Sequence, residues 1–460
     1  MDDDFNIHFS EEECNILAGD GIFLPGPQPG KRKISGSFLW GCPIPSLPPS
    51  NGDGSSPPSV VSVCHHQPPT QPDLEIPQEV RSAAGLEFIG LTPDAAARIF
   101  SRWDSRQLPN PDDLIDYVCG DTTQLNHRAL ADSDTTAMDR VGIAKWLQDA
   151  ILDPKYRDIF QTNTLRFWLD RSLRANFLSL DRMQDQLKAY VEQRQQGSRP
   201  AASIPASLQT MTSANRDFSR PHVKIGAAEP LLEDHEVYYM ATAVDEMCYL
   251  TPFITSHGSF DMRAISTHCL GRGDFNGRSL QECWYWTPEL ETATKYRKYA
   301  RHRVPASDHW IIRIQVSKDF SSRLNKEELF FSPTWVKYVW CCRNSRLVSD
   351  APDEILKYLE QNEGRVDIMV GHISTGVSKK WLLQKKYVSH VQWSQLFFCD
   401  SYHRDRQWWV RMNEENVMKV DDKKATQWVI MHEDVGKLLA RQMRGKEHID
   451  VYSNGWWAVP

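Results

Sequence analysis

Apolar residues change their spacing once along this chain, and that change limits the folds open to it. From residue 82 to about 195 they recur every three to four positions, the period of a helix face. Beyond 228 they gather in short β-branched and aromatic runs of strand length, such as EVYYMATAV, WIIRIQVS, RVDIMVGHIS and TQWVIMH. Between them residues 197–227 carry small residues and prolines, the composition of a linker. The expected class is α+β, with a helical domain over 82–196 and a mixed domain over 228–448. Residues 1–80 are rich in Pro, Ser and Gly, with too little apolar patterning to offset the entropy of ordering, so a disordered tail is expected there. Residues 449–460 read as a C-terminal tail that packs back or dangles.

Local signals support the helical half. Thr92 is placed to cap a helix that has Pro93 and Asp94 in its first turn. NPDDLIDYVCG repeats that pattern, with Pro111 early and Gly120 expected at the end. The longest pattern begins NTLRFWLDRSL, with Leu165, Trp168, Leu169 and Leu173 forming one stripe. The acids Asp112, Asp113 and Asp116 suit a helix N-terminus, where the peptide dipoles favour negative charge.

A net charge of −7 over 460 residues excludes a chain that is basic throughout, so any nucleic-acid surface must be local. The ten cysteines are scattered without a Cys-x-x-Cys pair, which suits reduced thiols better than disulfides or a zinc centre, and no metal is expected. His65 and His66 stand in the tail without a third neighbouring ligand and read as solvated. The first 25 residues carry acids where a leader needs positive charge, and no apolar run is long enough to span a bilayer. A cytoplasmic protein with no membrane partner is expected, which makes Arg272-Gly273-Asp274 incidental as an adhesion signal.

The densest stretch is GRGDFNGRSLQECWYWTPELETATKYRKYA, residues 271–300. Gly271, Gly273 and Gly277 allow a loop to approach a ligand with its backbone. CWYWT reads as a strand that puts Trp284 and Trp286 on one face and Tyr285 on the other. Thr287-Pro288-Glu289 then opens a helix whose Leu290, Ala293, Tyr296 and Ala300 form an apolar seam. Lys295, Arg297, Lys298, Arg301 and Arg303 are expected mostly on its outer face.

Gly273-Asp274-Phe275 followed by aromatic-Tyr-x-Thr and a helix resembles the central motif of ADP-ribosyltransferase-like domains, in particular an uncharacterised bacterial and fungal group. VDIMVGHIS at 366–374 and QWVIMHEDVGKLL at 427–439 resemble that group's later strands, in the same order. The resemblance covers roughly 237–440 and implies a split sheet that clamps the nicotinamide end of NAD, bound as a substrate. It implies that Tyr285 stacks on the ring, that Gln427 orients the ribose or acceptor, and that Gly273, Asp274 and Thr287 shape the site. The family's first-strand histidine is matched by Tyr239-Met240, where Met240 cannot make the needed hydrogen bonds. His257, in Ser256-His257-Gly258-Ser259, is the candidate to compensate.

Two other functions fit parts of the chain. Asp112-Asp113-x-x-Asp116 is similar to the Asp-Asp-x-x-Glu motif of fungal arginine-containing cyclodipeptide synthases, which use aminoacyl-tRNA in secondary metabolism. The basic-aromatic stretches 295–303, 379–387 and 405–412 suit an RNA ligand of that kind. A non-catalytic scaffold would instead offer its helical domain to a protein partner.

Overall fold

Two β-sheets and a helical layer position the features above in the computed structural model. It describes residues 9–26, 30–36, 60–66, 73–106, 112–123, 125, 133–195, 222–247, 253–265, 273–275, 283–343, 357, 365–376, 382–384, 396–403, 406–411 and 414–452. The helix Pro93–Asp104 starts after an extended Thr92 with Pro93 in its first turn, but the Thr92 side chain makes no capping hydrogen bond. Leu114–Thr122 is capped by Asp113, and the Asp113 amide donates in return to the Asp116 carboxylate at 3.2 Å. Gly120 lies inside this helix rather than at its end, since the chain stays helical through Thr122, and Pro111 lies outside the described residues. The long helix Leu165–Gln195 buries Trp168, Leu169 and Leu173, and with them the polar Asp170, Ser172 and Asn176.

The expected tail over 1–80 is corrected by the segments described within it. Glu11–Gly19 is a helix capped by Ser10, and Phe23–Leu24, Lys31–Ile34 and Leu74–Pro77 form a three-stranded sheet. Their Leu17, Ile34, Leu74 and Ile76 join one apolar cluster with Ile99, Leu173 and Leu180 of the helices. These few apolar residues cannot make a core alone, but they complete one supplied by the helices. The PIPSLPP run lies outside the described residues.

Val61–His66 and Val223–Ile225, read as tail and linker, are strands of a five-stranded sheet. Its order is Val223–Ile225, Val61–His66, Glu447–Tyr452, His309–Ser317 and His235–Ala243. Glu447–Tyr452 is central, so the expected boundary at 448 cuts through a buried strand. The second sheet runs Trp284–Trp286, Thr426–Ile430, Ile368–His372 and Lys326–Leu329. The two sheets meet at one antiparallel pair, in which Tyr239 N donates to Thr287 O at 2.8 Å and Thr287 N to Tyr239 O at 2.9 Å. Period-two alternation buries Trp284 and Trp286 in a core shared with Trp310 and Trp428, while Tyr285 stays partly exposed. Gly371 is fixed by close approach: a Cβ there would lie 2.2 Å from the Leu329 carbonyl oxygen and 2.8 Å from the Phe275 ring. Among the described residues no helix is long and apolar enough to cross a membrane.

The central strand carries a stored electrostatic cost. Burial pushes the Glu447 carboxyl up to about 8 from an ordinary 4.5, because the backbone amides of residues 445–447 and the charge of Arg444 offset the desolvation only in part. A raised carboxyl leaves stability intact below pH 4.5 and erodes it as pH rises toward 8. Glu447→Gln should therefore raise the melting temperature at pH 8 and leave it nearly unchanged at pH 4. Equal shifts at both pH values would show that Glu447 is not held neutral.

Candidate functional site

At the seam between the sheets, capped by the long helix, lies a cavity of about 190 Å³. Its lining includes seven of the eight residues singled out from sequence: Tyr239, Met240, Gly273, Asp274, Tyr285, Thr287 and Gln427. The pairing of the two sheets brings them together. Tyr239 and Met240 come from the edge of one sheet, Tyr285 and Thr287 from the edge of the other, and Gln427 from the strand paired to Gly371.

Asp274 organises this wall. Its carboxylate, 1 % exposed, accepts from Arg343 Nε at 2.8 Å, Ser374 N at 2.8 Å and Gln427 Nε2 at 2.8 Å. Gln427 Nε2 also donates to the His372 carbonyl at 3.0 Å. A carboxylate only accepts, so the amide nitrogen of Gln427 must face it, and the amide oxygen is left to meet a ligand donor. Tyr285 lies beside this network with its hydroxyl accepting from Phe275 N at 3.2 Å. Burial, then Cys283 and Asp274 nearby, push its phenol well above the ordinary value, so Tyr285 offers a neutral ring and hydroxyl rather than a base.

The opposite wall was not foreseen. Glu246, in the turn after His235–Ala243, is paired with Arg171 Nε at 3.0 Å and Arg303 Nη1 at 2.8 Å, and Thr242 Oγ1 donates to it at 2.8 Å. Burial opposes its charge, yet the two guanidiniums and the hydroxyl hold the carboxyl at about 2. Arg303 also donates to Ser172 Oγ at 3.0 Å and lies 4.6 Å over the Trp168 ring. Arg171, Trp168, Phe167 and Tyr296 also line the cavity. Nothing local in the sequence marked this wall, because Arg171, Glu246 and Arg303 lie on separate segments that only the fold brings together.

Three expectations are corrected. His257 does not line the cavity; it is exposed in the Thr255–Ser259 turn, where its carbonyl accepts from Arg444. The turn is closed by Gly258 N donating to Thr255 O at 3.0 Å. Arg297 and Arg303 are not on the outer face of helix Leu290–Arg303, being 8 % and 2 % exposed, and Leu290 is 43 % exposed instead of buried. The aromatic ring under each arginine and the carboxylate at Arg303 replace water there. The stretch 295–303 is thus largely an interior element, while strands Leu382–Gln384 and Arg406–Arg411 of the other two stretches pair in a separate sheet.

Asp113 and Asp116 lie outside the cavity, held by Arg81 at 2.8 Å and Arg174 at 3.1 Å. Cys14, Cys64, Cys119 and Cys283 form no disulfide. Chemically the cavity offers an aromatic face, an amide oxygen and two carboxylates each tied to guanidinium, a set suited to gripping a polar aromatic ligand. No family model matches the chain, and neither a curated protein nor a solved structure is significantly similar to it.

Proposed function

We propose that the chain is an intracellular transferase of ADP-ribosyltransferase-like fold, acting on NAD or another nucleotide-containing substrate whose ring end enters the cavity. The carrying observation is the convergence of Tyr239, Tyr285, Thr287, Asp274 and Gln427 at the seam of a split sheet. A volume of about 190 Å³ is below the roughly 300–1,000 Å³ of pockets for drug-sized ligands, so it suits the ring and ribose rather than a whole dinucleotide. The Tyr285 ring stacks on the ligand ring, and the Gln427 oxygen accepts from a carboxamide or ribose hydroxyl. Chemistry at this site is expected to be slow. Met240 replaces a hydrogen-bonding histidine and Gln427 a glutamate, and each lost transition-state hydrogen bond costs about 2.7–4 kcal/mol.

Titration calorimetry of the full chain with NAD tests the proposal. Saturable binding is expected, and Tyr285→Ala should weaken it by about 1–3 kcal/mol, the range for base–aromatic stacking. Absence of NAD binding, together with no release of nicotinamide on long incubation, would sink it.

A further inference from the structure

A second cluster lies on the five-stranded sheet, outside the cavity lining. Val61–His66 and Glu447–Tyr452 are parallel neighbours, with Ser62 opposite His448, Cys64 opposite Asp450 and His66 opposite Tyr452. Side chains alternate faces along a strand, so these six residues share one face. The Cys64 sulfur, a His66 ring nitrogen and an Asp450 carboxylate oxygen lie within 4.8 Å of one another. His66 Nε2 is 2.7 Å from Asp450 Oδ1, and His448 Nε2 is 3.3 Å from the same oxygen.

The supporting residues hold this set in place. The His66 ring stacks on Tyr452, with centroids 4.4 Å apart and planes 12° from parallel. Arg297 in turn lies 3.7 Å over the Tyr452 ring. His448 is fixed at its other nitrogen by Ser62 Oγ at 2.8 Å, so it braces the Asp450 carboxylate from behind. Ligands braced through a second group are the usual construction of a metal centre.

We propose that Cys64, His66 and Asp450 bind one divalent transition-metal ion, zinc by its donor set, with His448 orienting Asp450. Thiolate and imidazole favour zinc and its neighbours over calcium or magnesium, which take oxygen ligands. Zinc bonds of about 2.0–2.3 Å put neighbouring donors roughly 3.3–3.8 Å apart, which side-chain rotation can reach from the spacing present. Three protein ligands leave a fourth position to water. Sequence spacing pointed away from a metal because His66 and Asp450 are 384 residues apart and only the parallel pairing joins them. The ion would fasten a strand from the N-terminal region to the central C-terminal strand, so binding adds to folding stability.

Cobalt titration of the full chain, stripped of metal by chelator, tests this. One equivalent of Co²⁺ should bind with a thiolate-to-cobalt charge-transfer band, Zn²⁺ should displace it, and Zn²⁺ should raise the melting temperature. Cys64→Ser should abolish the band, and His448→Ala should weaken binding about 10–100-fold, as loss of a bracing partner does. Absence of the band, or a band that survives in a folded Cys64→Ser variant, overturns the proposal. Should Cys64→Ser fail to fold, the exposed His66 decides the matter: unchanged cobalt affinity in His66→Gln also overturns it.

Discussion

Asp274→Ala should cost about 3–5 kcal/mol of folding stability, the range for removing one partner of a buried ion pair. The carboxylate is 1 % exposed and takes hydrogen bonds from Arg343, the Ser374 amide and Gln427. These donors come from the helix Pro333–Arg343, the segment after Ile368–His372, and the strand Thr426–Ile430. Alanine leaves a guanidinium only 12 % exposed without its counter-ion and strands two further donors. Asp274→Asn keeps the shape and one acceptor and should cost less, about 1–3 kcal/mol. Urea denaturation with a fixed m-value reads both. A double-mutant cycle with Arg343→Met should give a coupling of at least about 1 kcal/mol. A loss below about 1 kcal/mol in Asp274→Ala would show that the carboxylate does not organise this wall. If the proposed function holds, the same variant should weaken NAD binding, because Gln427 loses the partner that fixes its amide.

How much of this was legible in the sequence depended on distance along the chain. The alternation of Trp284, Tyr285 and Trp286 and the capping at Asp113 are local, and a reader of residues finds them directly. Seven cavity residues were singled out through a resemblance that spans several segments, although their strands are far apart in sequence. What stayed hidden were the pairings between distant segments. Glu246 looks like an ordinary surface acid until Arg171, some seventy-five positions earlier, and Arg303 are folded against it. Val61–His66 looks too short and too flanked by proline to be a strand, because its partner Glu447–Tyr452 comes near the other end of the chain. Strand propensity is read from a segment alone, whereas an edge or central position is set by what lies beside it. His257 was misassigned for the opposite reason: a local His-Gly pair matched a motif, but the residue is exposed in a turn outside the cavity lining.

Glu246→Gln should be the second costly substitution, and its effect should depend on pH. At neutral pH it leaves Arg303, 2 % exposed, and Arg171 facing an uncharged amide, for a loss of about 3–5 kcal/mol. The Glu246 carboxyl is held at about 2 against an ordinary 4.5, so its stabilising contribution is full above pH 4.5 and lost as pH falls through 2. His309 adds to the same acid limb. Burial, with Arg297 and Arg301 behind it, lowers its imidazole to about 3 from 6.5, so it stays neutral, bonded to the Val304 carbonyl, and is destabilising as pH falls from 6.5 toward 3. The wild-type protein should therefore lose stability in two stages, His309 governing the upper one and Glu246 the lower. In Glu246→Gln the upper stage remains and the lower one is absent, so the two stability curves converge between pH 4.5 and 2. Denaturant midpoints measured across pH 2 to 7 decide it. Curves that stay parallel below pH 4.5 would mean that the pair with Arg171 and Arg303 does not keep Glu246 ionised, and that this wall of the cavity is held by packing on Trp168 instead.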